Sequence, residues 1–351
     1  MRRLPALIAT LTAAAALLGG CASGESAAPT PAPAQSTELA PEVTVGLTYV
    51  PNVQFTPAYY AEAKNFFAER GVAGKLRHHG AQEDLFGALA AGEEQIVVAG
   101  ATEAVVAAAA GQDVVLLAPY YRAYPAVLIV PADSPIQTVA DLSGRSVGIP
   151  GEYGENLYAL EGALAGAGLT RQDVKVESIG YTQVAALAAG HVDAVIGFVN
   201  NEPVQAAAQG VAVRTVPLGQ TDLLGAALVT SRAALAKNPE GIAAAAKAMQ
   251  DGIDATIASV VNGADEAIEV AKQFVPDLTG EAETGARATL DATLQVWDGT
   301  MLVQAGGETG SESDFIMVGE YLTLDRVEAM IQSLQRAGVL AGPVEADKLL
   351  P

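Results

Sequence analysis

The chain has 351 residues, half of them apolar and 17% charged, with 36 Gly and 18 Pro. That length suits roughly two compact domains, and a mean hydropathy of +0.28 excludes a disordered, highly charged chain. Nineteen basic against forty acidic residues give −21, a surface that repels phosphate backbones and excludes nucleic acid as a partner. A single cysteine excludes an internal disulfide and a cysteine metal cluster, and three histidines (His78, His79, His191) leave little for a zinc site. No metal and no cofactor is expected.

Residues 1–20 read as a signal peptide. Arg2 and Arg3 precede an apolar stretch over residues 4–18, too short for the ~20 residues of a membrane span. The stretch ends Leu18-Gly19-Gly20-Cys21, which resembles the bacterial lipobox and makes Cys21 the expected lipidation site. Residues 21–41, rich in Ala, Pro, Ser and Thr, then read as a lipidated cysteine and a disordered tether. The expected location is the extracytoplasmic side of the cell membrane, held by the lipid anchor.

Beyond the tether, strands and helices alternate. Strands are expected at residues 43–47, 96–99, 114–118, 146–149, 174–179, 194–197 and 211–216. Helices are expected at 58–70, 103–110, 155–165 and 183–189, and the chain is mostly helical from 232 onward, with amphipathic segments around 234–275, 284–297 and 322–337. This alternation predicts mostly parallel α/β sheets. An internal echo suggests two similar lobes: Ala88-Leu89-Ala90-Ala91-Gly92 and Ala186-Leu187-Ala188-Ala189-Gly190 each precede a buried strand. Two extended crossings, at Tyr124-Pro125 and between Pro217 and residue 226, would carry the chain into a second lobe and back. Lobe one is therefore expected at 42–128 and 220–351, and lobe two at 129–219.

Four stretches carry a resemblance. They are Tyr49-Val50-Pro51-Asn52-Val53-Gln54-Phe55 with Tyr59-Tyr60-Ala61, Asp141-Leu142-Ser143-Gly144-Arg145 running on through Gly148-Ile149-Pro150-Gly151-Glu152-Tyr153-Gly154, Gly180-Tyr181-Thr182-Gln183 through Val192-Asp193-Ala194, and Asn200-Asn201-Glu202-Pro203-Val204-Gln205. The chain resembles solute-binding lipoproteins of ABC importers, in the family that includes aminopyrimidine (thiamine-precursor), alkanesulfonate and riboflavin binders, and its wording is nearest the riboflavin-type branch. The resemblance implies a two-lobed periplasmic-binding-protein fold (type II) with ligand in the interlobe cleft. It also implies permease and ATPase subunits as partners, and a monomer that captures riboflavin. An aminopyrimidine thiamine precursor is the alternative, and an alkanesulfonate a more distant one.

Nine of the ten tyrosines fall between residues 49 and 181, and ligands of open α/β sheets bind beyond the carboxyl ends of the strands. Aromatic faces there suit a flat heteroaromatic solute. Tyr49, Phe55, Tyr59, Tyr121, Tyr153 and Phe198 lie near strand ends or the loops after them, and all but Phe198 are chosen as aromatic contacts, with Asn52 and Gln54 from the same first motif. Asn200, Asn201 and Glu202 follow a strand, and Asn201 and Glu202 are the expected polar clamp, although Asn201 and Pro203 also suit a helix start. Glu103 is a similar candidate at the opening of another helix. The glycines of residues 148–154 read as turn residues, since Glu152 and Glu155 flank them and would oppose an oxyanion. His78 and His79 read as a solvated pair. Fungal pyrimidine-synthase relatives of the same fold carry a histidine where Phe55 stands and a cysteine-rich segment that is absent here, which argues against an enzyme.

Overall fold

The computed structural model describes residues 40–80, 83–219, 221–300 and 321–351. The expected signal segment, Cys21 and most of the tether lie outside the described residues. No helix among the described residues is long and apolar enough to cross a membrane.

Two five-stranded sheets form the framework. In chain order the strands are β1 (Ala40–Leu47), β2 (Val72–His78), β3 (Ile96–Gly100), β4 (Val115–Pro119), β5 (Ala126–Pro131), β6 (Ser146–Ile149), β7 (Lys175–Ser178), β8 (Ala194–Phe198), β9 (Val213–Val216) and β10 (Ala226–Thr230). The first sheet has the order β2-β1-β3-β10-β4 and the second β7-β6-β8-β5-β9. In each, three parallel strands are followed by an antiparallel one that arrives from the other lobe. The central strands β3 (IVVAG) and β8 (AVIGF) are buried over nearly their whole length, as apolar runs covered on both faces by helices should be.

The helices that matter for the site are α1 (Thr56–Ala63), α2 (Phe66–Glu69), α3 (Gly87–Ala91), α4 (Ala101–Ala109), α5 (Gly154–Gly166), α6 (Gln183–Ala188) and α7 (Glu202–Ala208). After the second sheet come α8 (Arg232–Lys237), α9 (Pro239–Val261), α10 (Asp265–Ala271), α11 (Glu281–Trp297) and α12 (Leu324–Arg336). Two expected helices are divided. The segment 58–70 breaks into α1 and α2 because Asn65 adopts a left-handed φ of 60°, which stops a right-handed helix. The segment 234–275 breaks at Asn238, whose side chain accepts from Gly241 N–H and starts α9 afresh, and again at left-handed Gly263 and Ala264.

The internal echo is structural. Gly92 and Gly190, with φ of 75° and 65°, end α3 and α6 in the left-handed conformation, and β3 and β8 follow as the third strand of their sheets. One boundary needs correction. β5 pairs with β8 and β9 from Ala126 onward, so the crossing lies in residues 120–125, ahead of the strand and not at 128/129. The hydrophobic face of β5 explains why: splitting the strand would strand half of it between two cores.

Candidate functional site

The two crossings run side by side. Tyr120 N–H and Tyr121 N–H both donate to Ala226 O at 2.8 Å, and Gly225 N–H donates to the Tyr321 hydroxyl at 2.7 Å. A Cβ on Gly225 would stand 2.5 Å from Ala123 O, so only glycine allows the strands of the hinge to touch. Beside this hinge, beyond the carboxyl ends of β3 and β8, lies a cavity of about 160 Å³. Its walls come from both lobes: Gln54, Glu103, Tyr121 and Tyr124 from the first sheet and the crossing, and Glu155, Phe198 and Asn200 from the second.

Local sequence explains each position. Glu103 sits in the first turn of α4, where its Oε2 accepts from Gly100 N–H at 3.3 Å. Glu155 sits in the first turn of α5, after the glycine loop. The helix dipole favours an acid at both places. Asn200, 1% exposed, donates from Nδ2 to Thr293 Oγ1 on α11 at 3.1 Å. Tyr121 leans on Trp297 of the same helix, with ring centroids 6.4 Å apart. Burial raises the Tyr121 hydroxyl well above its ordinary range, partly offset by the Asn200 amide beside it.

Of the expected contacts, Gln54, Glu103 and Tyr121 line the cavity. Tyr49 and Tyr153 do not line it and are 53% and 60% exposed. Tyr181, 76% exposed, is near both: its hydroxyl is raised first by burial and next by Tyr153, with Tyr49 and Glu103 near enough to add to the shift. These three exposed tyrosines come from both lobes.

Four expectations are corrected. Tyr59 is fully buried and stacks on Phe274, ring centroids 4.4 Å apart and nearly parallel, so it presents no face to a ligand. Phe55 is buried against the His78 ring. The Asn52 side chain accepts from Gln54 N–H and starts a short 3-10 turn, which makes it a shaper of the loop. Asn201 and Glu202 do not form an open clamp. Glu202 Oε2 accepts from Phe198 N–H at 2.7 Å, its Oε1 accepts from Gln183 and Asn201, and the Asn201 oxygen accepts from Gln205.

The expected solvated pair is corrected too: His78 is half-buried and His79 is buried. His79 is 4% exposed and holds Glu94, which also accepts from Arg77 at 2.6 Å. His78 Nδ1 faces the Tyr49 carbonyl at 2.9 Å and so carries the proton, leaving Nε2 to accept from the Tyr59 hydroxyl at 3.1 Å. The Tyr59 oxygen in turn accepts from Asn52 N–H at 3.2 Å. Burial lowers the His78 pKa, in keeping with a neutral ring. This chain of bonds fixes residues 49–52, and with them the exposed Tyr49.

A family model described as NMT1/THI5 like matches residues 52–259. The riboflavin-binding protein RibY of Chloroflexus aurantiacus is 32% identical over 331 residues, which is 92% of this chain and 88% of that protein. The chain belongs to the NMT1/THI5-like family. Every residue lining the cavity falls inside the stretch that the family model matches. Among solved structures, the periplasmic aliphatic sulphonate-binding protein SsuA of Escherichia coli superposes with a TM-score of 0.63 at 19% identity, covering 88% of this chain and 92% of that one. The desulfurization enzyme DszB superposes at 0.51 and 18%, covering 88% and 96%. These likenesses establish the two-lobed periplasmic-binding-protein fold.

Four further residues line the cavity: Phe198 and Asn200, noted near the end of the strand but not chosen as contacts, and Tyr124 and Glu155, which are not among the expected contacts. Glu155 had a legible signal, because like Glu103 it lies in the first turn of a helix that follows a parallel strand. Asn200 reads together with Asn201, and Asn201 is the one chosen. Which of two adjacent asparagines faces the cleft is decided by the helix start of α7 at Glu202.

Proposed function

We propose that this protein is the solute-binding component of an ABC importer and that its solute is a flat heteroaromatic, riboflavin first. The observation that carries the reading is the cavity between the lobes, where Tyr121, Tyr124 and Phe198 supply aromatic walls and Gln54 and Asn200 supply amides. The 32% identity to a riboflavin-binding protein over most of both chains supports the choice of solute. The cavity is smaller than the roughly 300–1,000 Å³ of ligand sites in general, so solute enters as the lobes part and the exposed tyrosines close over it. Phe198 and the tyrosines need only stack, and among the described residues no nucleophile–base pair lines the cavity, so capture without chemical change is the role it suits. Permease and ATPase subunits are the partners, and a diacylglycerol on Cys21 holds the protein at the outer face of the membrane.

Flavin-fluorescence titration tests this on full-length protein recovered from the membrane fraction, with an aminopyrimidine as competitor. Riboflavin is expected to be quenched and not displaced by equimolar aminopyrimidine. The sole tryptophan, Trp297, should be quenched in parallel, since it adjoins Tyr121. Absence of flavin quenching with tight aminopyrimidine binding in calorimetry would transfer the assignment to the thiamine precursor.

A further inference from the structure

Glu103 and Glu155 do more than line the cavity. Each stands in the first turn of its helix, and the two helix N-termini reach the same point from opposite lobes. A Cβ on Gly100 would lie 2.5 Å from Glu155 Oε2 and 2.8 Å from Glu103 Oε2, so the two carboxyls meet over one glycine. Glu155 is half-buried along its stem, but both its oxygens are sealed from solvent and neither makes a geometrically formed hydrogen bond, although the Tyr124 and Thr102 hydroxyls lie near enough to ease its pKa down. The Tyr124 hydroxyl is itself buried and likewise makes no formed hydrogen bond. No Lys or Arg lines the cavity among the described residues. The ionisable groups facing the pair are Tyr124 from the crossing, Tyr158 from α5, the exposed Tyr181 and Tyr321 ahead of α12, all kept neutral by raised pKa values. Arg326 stacks over the Tyr321 ring at 4.4 Å.

Two enclosed carboxylates without a counter-charge repel and lose their hydration. Burial, and then Glu103 opposite, pushes Glu155 up to about 8, and burial pushes Glu103 up to about 7. As a coupled pair they retain a proton near neutral pH. A carboxylic acid donates one O–H, and a carboxylate only accepts. Side by side they complement an edge that offers an N–H next to a carbonyl or ring nitrogen. A sulfonate or phosphate placed there would meet negative charge and no cation.

We propose that Glu103 and Glu155 form the polar end of the ligand site, a two-carboxyl clamp to which each lobe contributes one half and which takes the N–H-bearing edge of a neutral or cationic heteroaromatic while rejecting anionic groups. The clamp deepens the solute-binding reading above and rests on it. It makes binding and lobe closure one event, since a donor edge that bridges the gap gives the Glu155 oxygens partners beyond the neighbouring Tyr124 and Thr102 hydroxyls. It also gives a reason for the pair to persist against its own repulsion: the closed, empty cleft is disfavoured until such a solute arrives.

The test compares riboflavin with N3-methylriboflavin by calorimetry on full-length protein, and measures thermal unfolding of wild type, Glu155→Gln and Glu103→Gln at pH 5 and pH 8. Methylation removes the edge N–H and is expected to weaken binding about 10- to 100-fold. Glu155→Gln is expected to weaken riboflavin binding yet raise the melting temperature of the unliganded protein by about 2 °C at pH 8. The gain should vanish at pH 5, where the wild-type pair is already protonated. Equal affinity for both flavins overturns the clamp, as does a Glu155→Gln protein that loses stability and affinity together. Should Glu155→Gln fail to fold, Glu103→Gln and the two wild-type flavin titrations carry the decision. If neither flavin binds, the riboflavin reading fails, and the clamp is decided by the thermal arm: a gain at pH 8 absent at pH 5 supports it, and no gain rejects it.

Discussion

Glu202 accepts hydrogen bonds from Phe198 N–H, the Gln183 amide and the Asn201 amide, and these partners decide its role. A carboxylate so occupied has little left for a solute, and what it does is join the end of β8 to α6 and the start of α7. Glu202→Ala is therefore expected to lower stability by about 1–3 kcal/mol, the cost of stranding buried donors, seen as a lower urea midpoint. Flavin affinity measured on the remaining folded protein should change little. Lost affinity with an unchanged midpoint would return Glu202 to the ligand. Glu155 is the counterpart: two acids, each beside a helix start, differ in function because one has its partners within the lobe and the other makes no formed hydrogen bond.

The decisive elements are the two crossings. Each connects an edge of one sheet to a strand inserted antiparallel into the other, and their mutual hydrogen bonds at Ala226 make a paired hinge. Gly225 marks the tightest point, facing Ala123 O and the Tyr121 Cβ. Gly225→Ala forces the crossings apart and is expected to cost about 1–3 kcal/mol by overpacking. Because Tyr121 lies on the displaced strand, solute affinity should fall as well. Thermal unfolding and flavin titration read the two effects separately, and a variant with wild-type values in both would mean that the hinge yields without strain. The echo of α3–β3 and α6–β8 places the cavity: both third strands end at it, and both are followed by a helix that turns back along its lobe.

At the scale of the molecule, closure and protonation are linked. Burial raises both carboxyls in this structure, and on the clamp proposal parting the lobes would hydrate each and return it toward its ordinary value. Closing the empty cleft therefore takes up protons between about pH 4.5 and pH 8, and its free energy becomes less favourable as pH rises through that window. Small-angle scattering of the unliganded protein is expected to show a larger radius of gyration at pH 8.5 than at pH 5. Saturating solute should bring the high-pH radius down by hinge closure. A radius indifferent to both pH and proven saturation would contradict the linkage.

The amino-acid sequence by itself determined most of the elements and the two-lobed class, but it did not mark β2 (Val72–His78). Apolar runs such as Ile96-Val97-Val98-Ala99 and Ala194-Val195-Ile196 become buried strands wherever helices cover both faces, and glycines that stop helices do so through local backbone geometry. It also singled out Gln54, Glu103 and Tyr121, which lie on short motifs next to strand ends. It misplaced Tyr59 and Phe55, because an aromatic ring fits a core and a ligand wall equally well until its neighbours are known. Here Phe274, from the loop after α10, and His78, from β2, cover them. Glu155 illustrates what only the tertiary structure decides. It lies 52 positions from Glu103, in the other lobe, and the docking of the two lobes across the hinge brings their helix starts together over Gly100. Local sequence places each acid on its own helix, and the hinge places one against the other.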